Sequence, residues 1–164
     1  MDKKVTIGNV CFIENPSTDS LLLLHRDREP MKGMYTGVGG KTRFEEDLHS
    51  SCLREVKEET GLDVDNLTLK GVVKTILDGK DSSWILFVYT AQTTSTELCD
   101  CDEGTLTWVP HNDLDSYTLI GFIEAIFEHI LDKQSFFEAT IVHDMTGKVL
   151  DKRLTLKKEP AFAV

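Results

Sequence analysis

The chain has 164 residues and a formal net charge of −10, a length that suits one domain able to bury about two-thirds of its unfolded surface. The acidic balance argues against polymeric nucleic acid, whose binding rests on Lys and Arg neutralising phosphates. The longest apolar runs, 21–24 and 84–89, fall far short of the roughly 18 residues of a membrane span. No Pro/Gly/Ser-rich linker, repeat or low-complexity run divides the chain, so residues 1–164 read as a single domain.

In chain order, strands are expected over 5–13 and 21–26, followed by a glycine-rich loop from Gly33 to Gly40. A helix is expected from about Glu45 to Thr60. Strands 67–77 and 84–92 are joined by Asp78-Gly79, a strong hairpin signal. After Trp108 a helix is expected over 118–131, with Leu119, Phe122, Ile123, Ile126, Phe127 and Ile130 at helical spacing, a stripe that reads as core. Segments 136–142 and 148–156 alternate around Met145-Thr146-Gly147 and read as a closing hairpin, leaving 158–164 as a tail. The N-terminus, Met1-Asp2-Lys3-Lys4-Val5, lacks a secretory apolar region. Cysteines 11, 52, 99 and 101 lack zinc-site spacing and read as free thiols. A soluble, cytoplasmic protein is expected. His25, His49, His111, His129 and His143 are scattered without metal-ligand spacing and receive no role.

The most informative stretch runs from Gly40 to Leu62: Gly40, five residues, Glu46, seven residues, then Arg54-Glu55-Val56-Lys57-Glu58-Glu59-Thr60-Gly61-Leu62. On a helix Glu55, Glu58 and Glu59 stand at i, i+3 and i+4 and share one face within a turn. Like charges at that spacing cost a few tenths of a kcal/mol, and the last turn faces the negative end of the helix dipole. Helix stability alone gives no reason for them. A hard divalent cation reverses the sign, because Mg²⁺ or Mn²⁺ takes oxygen ligands and binds carboxylates together with substrate phosphates. The plain alternative is a solvated acidic face. Two details favour the cation: Arg54 can reach Glu58 at i,i+4, and the Gly39-Gly40 pair before the helix lets backbone approach an anion or offer a carbonyl to a metal. Arg26, Arg28, Lys32, Lys41 and Arg43 flank the loop, as phosphate partners or as ordinary surface charges.

Gly40 to Leu62 matches every fixed position of the Nudix hydrolase signature, and residues 5–131 resemble that family's pattern as a whole. The resemblance implies an α/β (α+β) fold, an α/β/α sandwich with a mixed sheet and, here, a C-terminal β-hairpin. It implies Mg-dependent cleavage of a nucleoside diphosphate linked to a further group. Glu58 and Glu59 are then metal ligands, Glu55 a ligand or the base, Glu46 a support, and Arg54 an orienting partner. The Gly39 carbonyl and an acidic residue outside the box, best Glu103 with Asp100 and Asp102 as competitors, complete the metal set. Glu103 could equally belong to a solvated acidic loop.

The Gly33–Lys41 loop and the 136–156 hairpin resemble the MutT-like branch, which removes 8-oxo-dGTP. Two departures stand out: Thr36 occupies the place of that branch's Asn, and no Asp pair opens the second helix between Tyr117 and Ala125. A Thr hydroxyl cannot make the two-point pairing of an amide. Arg26, Thr36, Gly40, Lys41 and Trp108 are the candidate substrate contacts, with Trp108 read first as core and second as a base-stacking platform. Alternatives keep the same metal chemistry on ADP-ribose, a dinucleotide or a sugar nucleotide, or make the domain a non-catalytic nucleotide sensor. The partner is a small nucleotide, and a homodimer is compatible with the family.

Overall fold

The computed structural model describes residues 2–158. Eight strands, β1 (Lys4–Asn15), β2 (Ser20–Arg26), β3 (Tyr35–Thr36), β4 (Asp65–Leu77), β5 (Ser82–Gln92), β6 (Gly104–Pro110), β7 (Ser135–His143) and β8 (Val149–Lys158), form one mixed sheet. Among the described residues the α-helices are α1 (Leu48–Thr60), α2 (Gly121–Glu124) and α3 (Phe127–Leu131).

Alternation along β1 sets the layers. Val10 and Phe12 point into a cluster with Ile123, Ile126 and Ile130, while Cys11 and Ile13 point the other way, toward Cys52 and Val56 of α1. A sheet buried on both faces at its centre needs a helical layer on each side, which is the expected α/β/α sandwich. β1 runs parallel to β5 along its whole length, β5 pairs antiparallel with β4, and β4 runs parallel to β7. The closing hairpin, β7 with β8, therefore extends the same sheet. None of the described helices is long and apolar enough to cross a membrane.

The sheet splits where the site lies. β1 and β2 pair only at Glu14↔Leu21 and Asn15↔Ser20, then diverge, and the glycine loop fills the gap. Val38 bridges to Cys11, Lys41 bridges to Gly8, and the Asn9 N–H donates to the Gly40 carbonyl at 2.9 Å. Backbone approaches this close leave no room for side chains. A Cβ on Gly39 would lie 2.1 Å from the Asn9 carbonyl oxygen, and one on Gly40 2.6 Å from the Glu55 carboxyl carbon. Gly39→Ala is therefore expected to destabilise the fold by about 2 kcal/mol or more, read as a lower urea midpoint at unchanged slope.

Two expected boundaries change. Helix α1 starts at Leu48 instead of Glu45, because Asp47 caps it by accepting from the Ser50 N–H at 2.8 Å, while Glu46 turns back to the Arg43 N–H at 2.8 Å. Gly61, at φ 77°, closes it as expected, its N–H on the Lys57 carbonyl. The helix expected over 118–131 is two short ones. Thr118–Ile120 instead forms a bridge to Tyr35, with the Tyr35 N–H on the Thr118 carbonyl and the Ile120 N–H on the Tyr35 carbonyl, both at 2.9 Å. Ile126 sits at φ −121°, ψ 0° and its N–H turns to Ile123, which separates α2 from α3. The apolar stripe is still the core contact: Phe122, Ile123, Ile126 and Ile130 are buried. Of the expected tail, residues 159–164 lie outside the described residues.

Candidate functional site

Arg54 organises the acidic turn of α1. Its Nε and Nη2 donate to the two Glu46 oxygens at 2.6 and 2.8 Å, and its Nη1 donates to Glu55 at 2.9 Å and Glu58 at 3.1 Å. Nη2 also reaches the Lys41 carbonyl at 3.1 Å, tying the helix to the glycine loop. The bond from Arg54, backed by the Arg43 N–H, holds the Glu46 carboxyl down at about 2. The expected Arg54–Glu58 contact is thus one part of a fork that engages three carboxylates.

Glu59 behaves differently. It lies on the buried side of α1 at 9% exposure, and its Oε2 accepts from the Gly39 N–H at 2.8 Å. Burial, then the neighbouring Glu103 and Glu55 carboxyls, push it from its ordinary 4.5 to about 8, against the opposing Gly39 bond. Burial also raises Glu55, with Arg54 pulling the other way and Glu58 and Glu103 adding to the rise. Three carboxyls from two segments, Glu55 and Glu59 of α1 and Glu103 just ahead of β6, thus repel one another in a poorly solvated corner.

That donor set is all oxygen and suits Mg²⁺ or Mn²⁺, and the repulsion within it is what a dication would relieve. As the side chains stand, no group of three acidic, His or Cys residues among those described is arranged to hold an ion. The reason is visible: Arg54 draws Glu55 and Glu58 to itself, and Gly39 offers Glu59 an N–H. Residues able to hold a cation are Glu55, Glu58 and Glu59, with Gly39 and Glu103 beside them.

A cavity of about 560 Å³ opens from this corner. Arg26, Thr36, Gly39, Gly40, Lys41, Glu55 and Glu103 line it, so all but one of the expected substrate contacts meet there. The exception is Trp108. Its strand register places it opposite Leu22, packed against the α1-side cluster, with its indole N–H on the Thr96 carbonyl at 3.3 Å. It is absent from the cavity lining, and the stacking role falls away in favour of the core reading. The aromatic wall is instead Trp84, with the Lys41 ammonium 5.8 Å from its ring, and Phe122. Trp84, Thr75 and His143 also line the cavity, and nothing in the sequence marks them as site residues. Trp84 sits in a strand of mostly apolar residues, and only the pairing of β5 with β1 and β4 shows which side chains face the cavity.

Residues 4–129 match the family model of the NUDIX domain, well over half of the chain. The chain belongs to the Nudix hydrolase family. Its relatives include an uncharacterized Nudix hydrolase of Bacillus subtilis, YvcI, which is 29% identical over 140 residues, 83% of this chain and 87% of that one. Among solved structures, the MutT protein of Bacillus halodurans is similar at a TM-score of 0.80 and 27% identity, covering 91% of this chain and 97% of its own. The MutT Nudix hydrolase of Burkholderia pseudomallei is similar at a TM-score of 0.67 and 26% identity, covering 77% and 98%. This Nudix hydrolase acts on a nucleotide derivative.

Proposed function

We propose that the protein hydrolyses a nucleoside triphosphate to the nucleoside monophosphate and pyrophosphate, in a Mg²⁺-dependent reaction, with an oxidised purine such as 8-oxo-dGTP as substrate. The observation that carries this is one cavity of about 560 Å³ lined both by the Glu55 and Glu103 carboxyls and by the apolar and aromatic side chains of Trp84, Ile120 and Phe122. The likeness to proteins named MutT supports the same reading.

Bound at Glu55, Glu58 and Glu59, a divalent cation supplies charge neutralisation for the phosphates and makes water more acidic. The chain's residues do the rest. Arg26 and Lys41 line the same cavity and attract the polyphosphate. Glu55, held above its ordinary range by burial, is suited to take a proton from the attacking water. Water adds across one P–O–P bridge, and the pyrophosphate leaves with the bridging oxygen. Arg54 restrains Glu46, Glu55 and Glu58 in one orientation, so Arg54→Ala is expected to lower kcat by about 10- to 100-fold while the protein stays folded by circular dichroism.

The test is initial rates with Mg²⁺ on 8-oxo-dGTP, dGTP, the other nucleoside triphosphates, ADP-ribose, dinucleotides and sugar nucleotides, with products identified. Preference for 8-oxo-dGTP with release of 8-oxo-dGMP and pyrophosphate is expected. Turnover of another compound alone would move the assignment to that substrate, and binding without turnover of any would make the domain a sensor.

A further inference from the structure

Besides the carboxyls, two further polar side chains line this cavity, among apolar neighbours and without hydrogen-bond partners for one atom each. His143, at the end of β7, is 7% exposed and its ring lies 5.2 Å from that of Phe122. Its Nδ1 is 2.9 Å from the Asp144 carbonyl oxygen. A carbonyl only accepts, so Nδ1 carries the hydrogen, and Nε2 of the neutral ring is left as a lone-pair acceptor. No described group bonds to that Nε2. Thr75 lies on the neighbouring strand, where it pairs with Ile141, two residues before His143, and so shares its face. It is 3% exposed, lines the same cavity, and its hydroxyl bonds to no described group.

The imidazole is held firmly. Asp144 accepts at one carboxyl oxygen from the Thr146 N–H, the Thr146 hydroxyl and the Lys148 N–H, at 2.8, 2.6 and 3.0 Å, which fixes the turn that supplies the orienting carbonyl. That turn docks on α2 so closely that a Cβ on Gly121 would lie 2.0 Å from the Gly147 carbonyl oxygen. The closing hairpin and the start of α2 therefore lock His143 against Phe122.

We infer that His143 and Thr75 read the base, His143 Nε2 accepting from a ring N–H and the Thr75 hydroxyl donating to the carbonyl beside it. An imidazole acceptor next to a hydroxyl matches a lactam edge, –NH–C(=O)–, which guanine and 8-oxoguanine carry and adenine lacks. Buried polar atoms left unpaired by the wrong base give discrimination that an apolar wall cannot. This rests on the cavity being the nucleotide site, but it concerns binding and is tested without turnover.

The experiment is calorimetric binding of 8-oxo-dGMP, dGMP, dAMP and base-free 2-deoxyribose 5-phosphate to the wild-type chain, His143→Phe, His143→Gln and Thr75→Val. The expected result is wild-type binding of a lactam base about tenfold or more tighter than dAMP. His143→Phe should remove that preference, His143→Gln should restore most of it through its side-chain carbonyl, and Thr75→Val should reduce it. The sugar phosphate should bind all four proteins alike. A His143→Phe variant with undiminished preference, an equal loss on the sugar phosphate, or no base-dependent binding by the wild type would overturn the inference. Base-selective binding without hydrolysis of any triphosphate would instead sink the proposed activity and leave this assignment standing.

Discussion

Glu58→Gln is expected to lower kcat for Mg²⁺-dependent hydrolysis by a factor on the order of 10³ or more, with little change in the folded protein. The Glu58 side chain is 53% exposed and its described contacts are with Arg54 at 3.1 Å and Arg43 at 3.8 Å. Exposed ion pairs of this kind contribute about 0–1 kcal/mol to stability, so an amide of the same shape leaves the fold intact. The charge matters only if a cation and phosphates occupy the corner. Steady-state kinetics with a thermal melt of the same preparation check both halves. Retained turnover in the folded variant would remove Glu58 from the site.

The second large effect falls on Glu59 and has the opposite sign for stability. Its carboxyl is raised from 4.5 to about 8, chiefly by burial, so the folded metal-free chain holds a proton that the unfolded chain releases. Below pH 4.5 both states are protonated and no penalty exists. Between 4.5 and about 8 the native state binds more protons than the unfolded one, so stability falls as pH rises, and above 8 the full penalty applies. Glu59→Gln keeps an acceptor for the Gly39 N–H and removes the charge. It should stabilise the metal-free protein at pH 8.5 by a few kcal/mol, on the order expected for a shift of this size, and leave it nearly unchanged at pH 4.5. The same variant should lose hydrolysis. Urea denaturation of both proteins across that range, with chelator present, is the measurement; a wild type as stable as the variant at pH 8.5 would show that Glu59 is not held in its protonated form. A carboxyl that weakens the empty protein and gains by meeting a cation is what a binding position would show.

What the sequence made legible, and what it hid, follows from the range of the interactions. The acidic turn could be read because Arg54, Glu55, Glu58 and Glu59 interact over one helical turn, a distance that spacing reports directly. Asp78-Gly79 and the Gly61 cap were visible for the same reason, each being a local backbone requirement met by a local residue. The late start of the second helical segment was not, because it depends on Tyr35 capturing Thr118–Ile120 from more than eighty residues away. That Trp84 faces the cavity and Trp108 the core is hidden in the sequence because the face a strand residue occupies is fixed by register, Thr6↔Trp84 in one case and Leu22↔Trp108 in the other. His143 is a lone histidine, with no spacing to give it meaning. Its role emerges only when the closing hairpin pairs with β4 and places it over the cavity.

If Glu55, Glu58 and Glu59 form a divalent-cation site, the proton on Glu59 must leave when the cation enters. The most direct measurement is titration of metal-free protein with Mn²⁺ at pH 6 and pH 8, with free ion read from its electron paramagnetic resonance signal. Saturable binding is expected, tighter at pH 8 by tenfold or more because protonated Glu59 competes at pH 6, and strongly weakened in Glu58→Gln and Glu59→Gln. Binding absent at both pH values, or equal in the wild type and both variants, would contradict that site.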